Sequence, residues 1–133
     1  MKKQPGIDSV DELTKLLARL KDEDYCYLTT IGRITGKPHE IEIWFGLNDA
    51  ALYILSGGRD KSDWVKNSMK NPSVSVRIAK QTFTGTARLV TDEKEDRTAR
   101  YLVAEKYQEW ETGKTLSEWA RTALPVAIDL SSG

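Results

Sequence analysis

A chain of 133 residues with 20 basic and 20 acidic side chains has the length for one domain with a real core and carries no formal net charge. That balance argues against nucleic acid as the main partner, since such proteins normally show a basic excess. One cysteine and one histidine exclude an intramolecular disulfide, a Cys-based metal cage and a multi-histidine metal site within the chain.

The chain opens on Met1-Lys2-Lys3-Gln4-Pro5-Gly6, which lacks an apolar leader core, and no run approaches membrane-spanning length. The expectation is a soluble cytoplasmic protein with no integral membrane segment. Ser9, with Glu12 three residues on, predicts a capped helix over residues 9–21. Val10, Leu13, Leu16, Leu17 and Leu20 give it one buried stripe.

Strands are predicted at 25–31, 39–47 and 51–56, joined as an antiparallel meander. In the second, Ile41, Ile43, Phe45 and Leu47 share one face, and Glu40, Glu42 and Trp44 the other. Trp44 on a polar face calls for a cover: a ligand, another subunit or a later helix. Ser62 is placed to cap a helix over 63–70, which Asn71-Pro72 stops. Strands follow at 73–79 and 82–90, with Gly85 marking a bulge or a sharp bend.

Asp92, with Glu95 in the reciprocal position, caps a third helix that runs to Gly113. Its better face carries Ala99, Leu102, Val103, Lys106, Tyr107 and Trp110. A short fourth helix over 116–122 and a last strand over 125–130 complete the chain, with a frayed tail beyond. About six antiparallel strands with flanking helices predict an α+β single domain over 1–133. Closure into a small barrel over 25–130 would remove exposed edges.

Hydrolytic chemistry finds little support. Cys26 sits in a strand as core, and Glu40 and Glu42 read as a solvated strand face. The stronger signal is a pair of cationic glycine turns. Gly32, Arg33, Gly36 and Lys37 form one; Gly57, Gly58, Arg59 and Lys61 form the other. Free backbone N–H groups beside fixed positive charge suit a phosphate or carboxylate. Two such turns flanking adjacent strands could border one groove. Arg33 would grip an anion bidentately, with Lys37 and Lys61 as point charges. Trp44, Trp64, Tyr107 and Trp110 could wall a flat ring system beside it.

The run Tyr27-Leu28-Thr29-Thr30-Ile31-Gly32-Arg33-Ile34-Thr35-Gly36-Lys37-Pro38 resembles the opening block of the deazaflavin-dependent nitroreductase family. Ser56-Gly57-Gly58, Asp63-Trp64-Val65-Lys66-Asn67 and Asn71-Pro72-Ser73-Val74-Ser75-Val76 are similar to its next block. Thr86-Ala87-Arg88 and Leu124-Pro125-Val126 resemble later landmarks. The match is ordered and covers about residues 25–130. It implies a split β-barrel related to the flavin-binding pyridoxamine-phosphate oxidases. It also implies coenzyme F420, a deazaflavin with a phospholactyl-oligoglutamate tail, and hydride transfer to a quinone, nitroaromatic or enone.

By resemblance, Arg33, Ile34 and Thr35 would meet the tail, beside Gly36, Lys37 and Lys61. His39 stands where the family often has Arg. Trp44 and Ser56 would lie near the ring, Trp64 and Asn67 on a covering helix, with Gly57 and Gly58 also among the cofactor-binding residues. Tyr107 or solvent would deliver the proton. Alternatives on the same barrel are an FMN-dependent oxidoreductase and a non-enzymatic cofactor carrier. A homodimer is compatible with an uncovered Trp44.

Overall fold

The computed structural model describes residues 5–131, with side chains from Glu12 onward. Four helices surround one seven-stranded antiparallel sheet. Helix α1 is Pro5–Leu20, then β1 Cys26–Ile31, β2 Pro38–Ile43, β3 Gly46–Asn48 and β4 Ala51–Ser56. A single 3-10 turn, Arg59–Lys61, precedes α2, Asp63–Lys70. The remainder is β5 Ser73–Ile78, β6 Gln81–Leu89, α3 Glu93–Gln108, α4 Glu118–Thr122 and β7 Leu124–Ser131.

The predicted second strand is two strands. The sheet order is β2-β1-β5-β6-β7-β4-β3, so β2 and β3 lie at opposite ends of the ladder. The meander expected over 25–56 is therefore replaced by two hairpins, β1–β2 and β3–β4. Only Trp44 and Phe45 separate β2 from β3. Seven flat strands would set their outer members roughly 29 Å apart. The three-residue step from Ile43 to Gly46 spans at most about 11 Å. The sheet must curl until its ends nearly meet, which makes a half-barrel.

Phe45 crosses that gap fully buried. Its backbone groups lie off the ladder, and α3 satisfies both. The Phe45 N–H donates to the Tyr107 hydroxyl at 3.1 Å, and Lys106 Nζ donates to the Phe45 carbonyl at 3.2 Å. The Tyr107 hydroxyl in turn donates to the Asp24 carbonyl at 2.8 Å. These three bonds pin the crossing to α3 and to the loop after α1.

The interior is lined by Leu28, Phe45, Leu52, Ile54, Val76, Ile78, Phe83 and Ile128, with Leu13 and Leu17 of α1 packed in. A second apolar layer lies outside the sheet. There Tyr53 and Ala127 meet Ala99, and Leu55 meets Val103 and Ala120. This explains why Leu52 to Ser56 of β4 are buried without alternation: both faces are covered. At Gly85 the register stays continuous on both sides, so there is no bulge. A Cβ there would lie 2.5 Å from Ile128 Cγ2, so close approach demands the glycine.

Several termini depart from expectation. Helix α1 starts at Pro5, so Ser9 lies inside it and is not its cap; the packing of Val10 lies outside the described side chains. Ser62 precedes α2, but its hydroxyl shares a 3.0 Å hydrogen bond with Ser56 and caps nothing. Asp92 does cap α3, accepting from the Glu95 N–H at 2.9 Å. The Glu95 carboxylate does not reciprocate, because Arg88 holds it through two 2.7 Å bonds and the Tyr53 hydroxyl donates a third. Helix α3 ends at Gln108, before Gly113, with Glu109 left-handed at φ 55°.

Candidate functional site

The β1–β2 hairpin turns through residues 32–37. The Gly32 N–H donates to the Lys37 carbonyl at 2.7 Å, and the Gly36 N–H to the Gly32 carbonyl at 2.8 Å. Gly36 sits at φ 74°, where a side chain would be strained. Thr35 Oγ1 accepts the Lys37 N–H at 3.2 Å. Above Gly32 lie the His39 imidazole and the Thr35 hydroxyl; a Cβ on Gly32 would be 2.8 Å from each. The glycine is the floor on which these two polar groups rest.

Helix α2 packs beside this turn and sends two residues to Arg33. Asn67 Oδ1 accepts from the Arg33 backbone N–H at 3.1 Å and from Nη1 at 2.8 Å. Asp63 Oδ1 accepts from Nη2 at 3.2 Å. Between the hairpin and α2 lies a cleft of about 580 Å³, within the range of small-molecule sites. Arg33, Ile34, Thr35, His39, Trp64 and Asn67, all expected from the sequence, line it. Two carboxylates line it as well, and each is paired. Asp63 bonds Arg33, and Glu40 meets Arg77 at 3.7 Å.

The other expected residues lie elsewhere. Lys37 and Lys61 are exposed and do not line the cleft, and neither has an ion-pair partner among the described residues. Arg59 is tied back to the Thr122 carbonyl. Ser56 is only 2% exposed, and its hydroxyl donates to the Arg59 carbonyl at 2.9 Å. It braces the 56–62 loop and presents nothing to the cleft. Gly58 accommodates the Ser62 hydroxyl, which would lie 2.5 Å from a Cβ there. Ser56 and Arg33 are nonetheless on one end of the molecule, linked through Ser62, Asp63 and the start of α2.

The aromatics form three groups and do not wall one ring site. Trp64 lines the cleft. Trp44 stacks on Tyr107, centroids 4.4 Å apart and planes 3° apart, with Trp119 edge-on at 5.6 Å. Helices α3 and α4 thus supply part of the cover that Trp44 required, and 36% of its surface stays exposed. Trp110 stacks on Tyr101 at 4.5 Å. Trp119 was missed by the sequence reading. Its indole N–H stands 3.1 Å from where a Gly57 Cβ would be, so Gly57 borders this aromatic patch.

Tyr107 is not placed as a proton donor. Its hydrogen is engaged by Asp24, and burial pushes its hydroxyl up to about 12. Lys106 beside it is pushed down to about 8 by burial, against the opposing pull of Asp22 and other acids. It lies 3.6 Å above the Phe45 ring. Cys26 is buried and pushed up to about 12, an inert core thiol.

The curled antiparallel half-barrel is of the split-barrel class, and one cleft of it gathers Arg33 and His39 with Asp63 and Glu40. The F420H(2)-dependent quinone reductase family model matches residues 10–131, and the chain belongs to that family. It is an F420-dependent reductase, and coenzyme F420 is its cofactor.

Solved structures agree on the fold. An F420-H2 dependent reductase (FDR-A) is 22% identical over 81% of this chain and 94% of its own, with a TM-score of 0.59. A pyridoxamine 5'-phosphate oxidase candidate from Listeria innocua is 20% identical over 87% and 90%, at 0.66. HutZ, the heme storage protein from Vibrio cholerae, is 18% identical over 91% and 92%, at 0.65. A search of curated protein sequences returns no match. One fold thus carries different ligands, and the family match, not the barrel, identifies the cofactor. The residues present fit it. A guanidinium, a hydroxyl and an imidazole line one cleft, a donor set suited to a phosphate and glutamate tail once the exposed Asp63 carboxylate yields its place on Arg33.

Proposed function

We propose that the chain reduces a planar quinone, with nitroaromatics and activated enones as further acceptors, and that the cleft beside α2 holds the anionic tail of F420. The observation that carries this is the convergence of Arg33, Thr35, His39 and Trp64 in one cleft. Arg33 supplies the bidentate charge, while exposed Lys37 and Lys61 add positive potential. The Trp64 indole offers an apolar wall. Trp44, with Trp119 and Gly57, forms the second surface, toward which the flat end of a bound molecule would extend. When bound, F420H2 supplies the hydride; the chain's own part is to bind, orient and shield. A quinone that gains a hydride takes one proton from water to become the hydroquinone. Tyr107 is not the proton source, because its hydrogen is committed to the Asp24 carbonyl.

A homodimer and a cytoplasmic location belong to the same reading. Ile34 at the hairpin tip is 87% exposed and Trp44 keeps 36% of its surface open, so both are available to a second copy of the chain. The single free thiol suits a reducing compartment. The test is anaerobic turnover with F420H2 and menadione, followed by F420 absorbance. Oxidation of F420H2 that requires both protein and menadione is the expected result. Tight binding with no oxidation by any quinone would instead make the chain a carrier.

A further inference from the structure

We infer that Asn67 is a positioning residue that aims the Arg33 guanidinium into the cleft before any ligand arrives. The inference rests on the reading of that cleft as the anion site. Asn67 lines the cleft, and both ends of its amide have partners within the protein. The carbonyl oxygen takes both the backbone N–H and Nη1 of Arg33, at 3.1 and 2.8 Å. The amino group donates to Thr30 Oγ1 at 3.4 Å, which fixes which way the amide faces. Asn67 is 5% exposed, Thr30 is buried behind it, and neither has freedom to turn toward a ligand.

The chemistry of an amide suits this task. Arg33 sits on a loop, and its long side chain would otherwise lose rotamer freedom when an anion binds. Asn67 fixes it from a rigid helix 34 residues further along the chain. A carboxylate at the same place would orient Arg33 equally well but cancel its charge. The neutral amide leaves the positive charge in place for the ligand. Asp63, one helical turn earlier on the same face of α2, reaches only Nη2, and its side chain is 86% exposed. An incoming phosphate or carboxylate can replace Asp63 while Asn67 keeps its hold. Arg33 therefore has one permanent partner and one exchangeable partner.

The experiment is a fluorescence titration with F420 of wild type, Arg33→Ala, Asn67→Ala and the double variant, alongside thermal melting of each. Asn67→Ala should weaken binding roughly tenfold or more. The double variant should bind no more weakly than Arg33→Ala alone, because Asn67 acts through Arg33. Losses that multiply would show that Asn67 acts independently and overturn the inference. So would normal binding by Asn67→Ala when Arg33→Ala is weak, although the cleft reading would survive. Normal binding by Arg33→Ala removes both. If Asn67→Ala does not fold, Thr30→Val releases the amide from its anchor without changing volume. A several-fold loss is then expected, and unchanged affinity overturns the inference.

Discussion

Replacing Gly32 by alanine separates the cleft from the fold. The added Cβ would lie 2.8 Å from His39 Nε2 and from Thr35 Oγ1, and 3.0 Å from His39 Cδ2. Ordinary contact begins near 3.4 Å, so each side chain must move by at least 0.6 Å (3.4 minus 2.8). Both side chains are exposed, Thr35 on the turn and His39 at the start of β2, and Gly32 is not among the positive-φ glycines, so the backbone tolerates alanine. The rotamer adjustments cost about 0.5–1.5 kcal/mol. The loss of glycine's freedom in the unfolded chain returns about 0.4–1 kcal/mol. Stability should change by less than about 1 kcal/mol, since the two effects oppose each other. Affinity should not be spared. Displacing one or two polar partners of an anion costs about 1–2 kcal/mol, a roughly five- to thirtyfold rise in Kd. Thermal melting and a fluorescence titration with F420 measure the two quantities on the same sample. A variant that melts like wild type and binds F420 equally well would refute the placing of His39 and Thr35 at the ligand.

Three further outcomes follow from the packing. Gly85→Ala drives a Cβ into Ile128 and the Asp129 carbonyl and should destabilise the sheet by about 1–3 kcal/mol in urea unfolding. Glu95, held at about 2 by Arg88 with help from Tyr53, lies below its ordinary 4.5. Its contribution is therefore present above pH 4.5 and lost as the pH falls toward 2. Glu95→Gln should cost about 1–2 kcal/mol at neutral pH and flatten that acid limb. Lys106, pushed down to about 8, binds its proton less tightly folded than unfolded, so its effect on stability improves as the pH rises from 8 to 10.5. Its NMR titration should centre near 8, and a midpoint above 10 would contradict its burial over Phe45.

The inward alternation of β2 and β3 was legible, but their separation was not. Ile41, Ile43, Phe45 and Leu47 keep the same parity through the crossing, so a two-residue period gives no sign that the chain changes sheet ends. The hairpin turn was legible from local spacing as a cationic, glycine-bearing loop, whereas the second turn, Gly57 to Lys61, expected to border the same groove, does not line the cleft. Tyr107, Ser56 and Glu95 were misread for a common reason. Each has the right side chain for a site or cap, but a distant backbone or charge takes it first: Asp24, the Arg59 carbonyl, and Arg88 respectively. Trp119 sits in a five-residue helix with little periodic signal, and only the tertiary fold brings it to Trp44.

The most direct test compares F420 with a deazaflavin that lacks the phosphate and glutamates, titrated against wild type and Arg33→Ala. An anion-gripping Arg33 predicts that the variant loses roughly ten- to a hundredfold for F420 and nothing for the tail-less ring. Equal losses for both molecules, or none for F420, would contradict a cleft built around the tail.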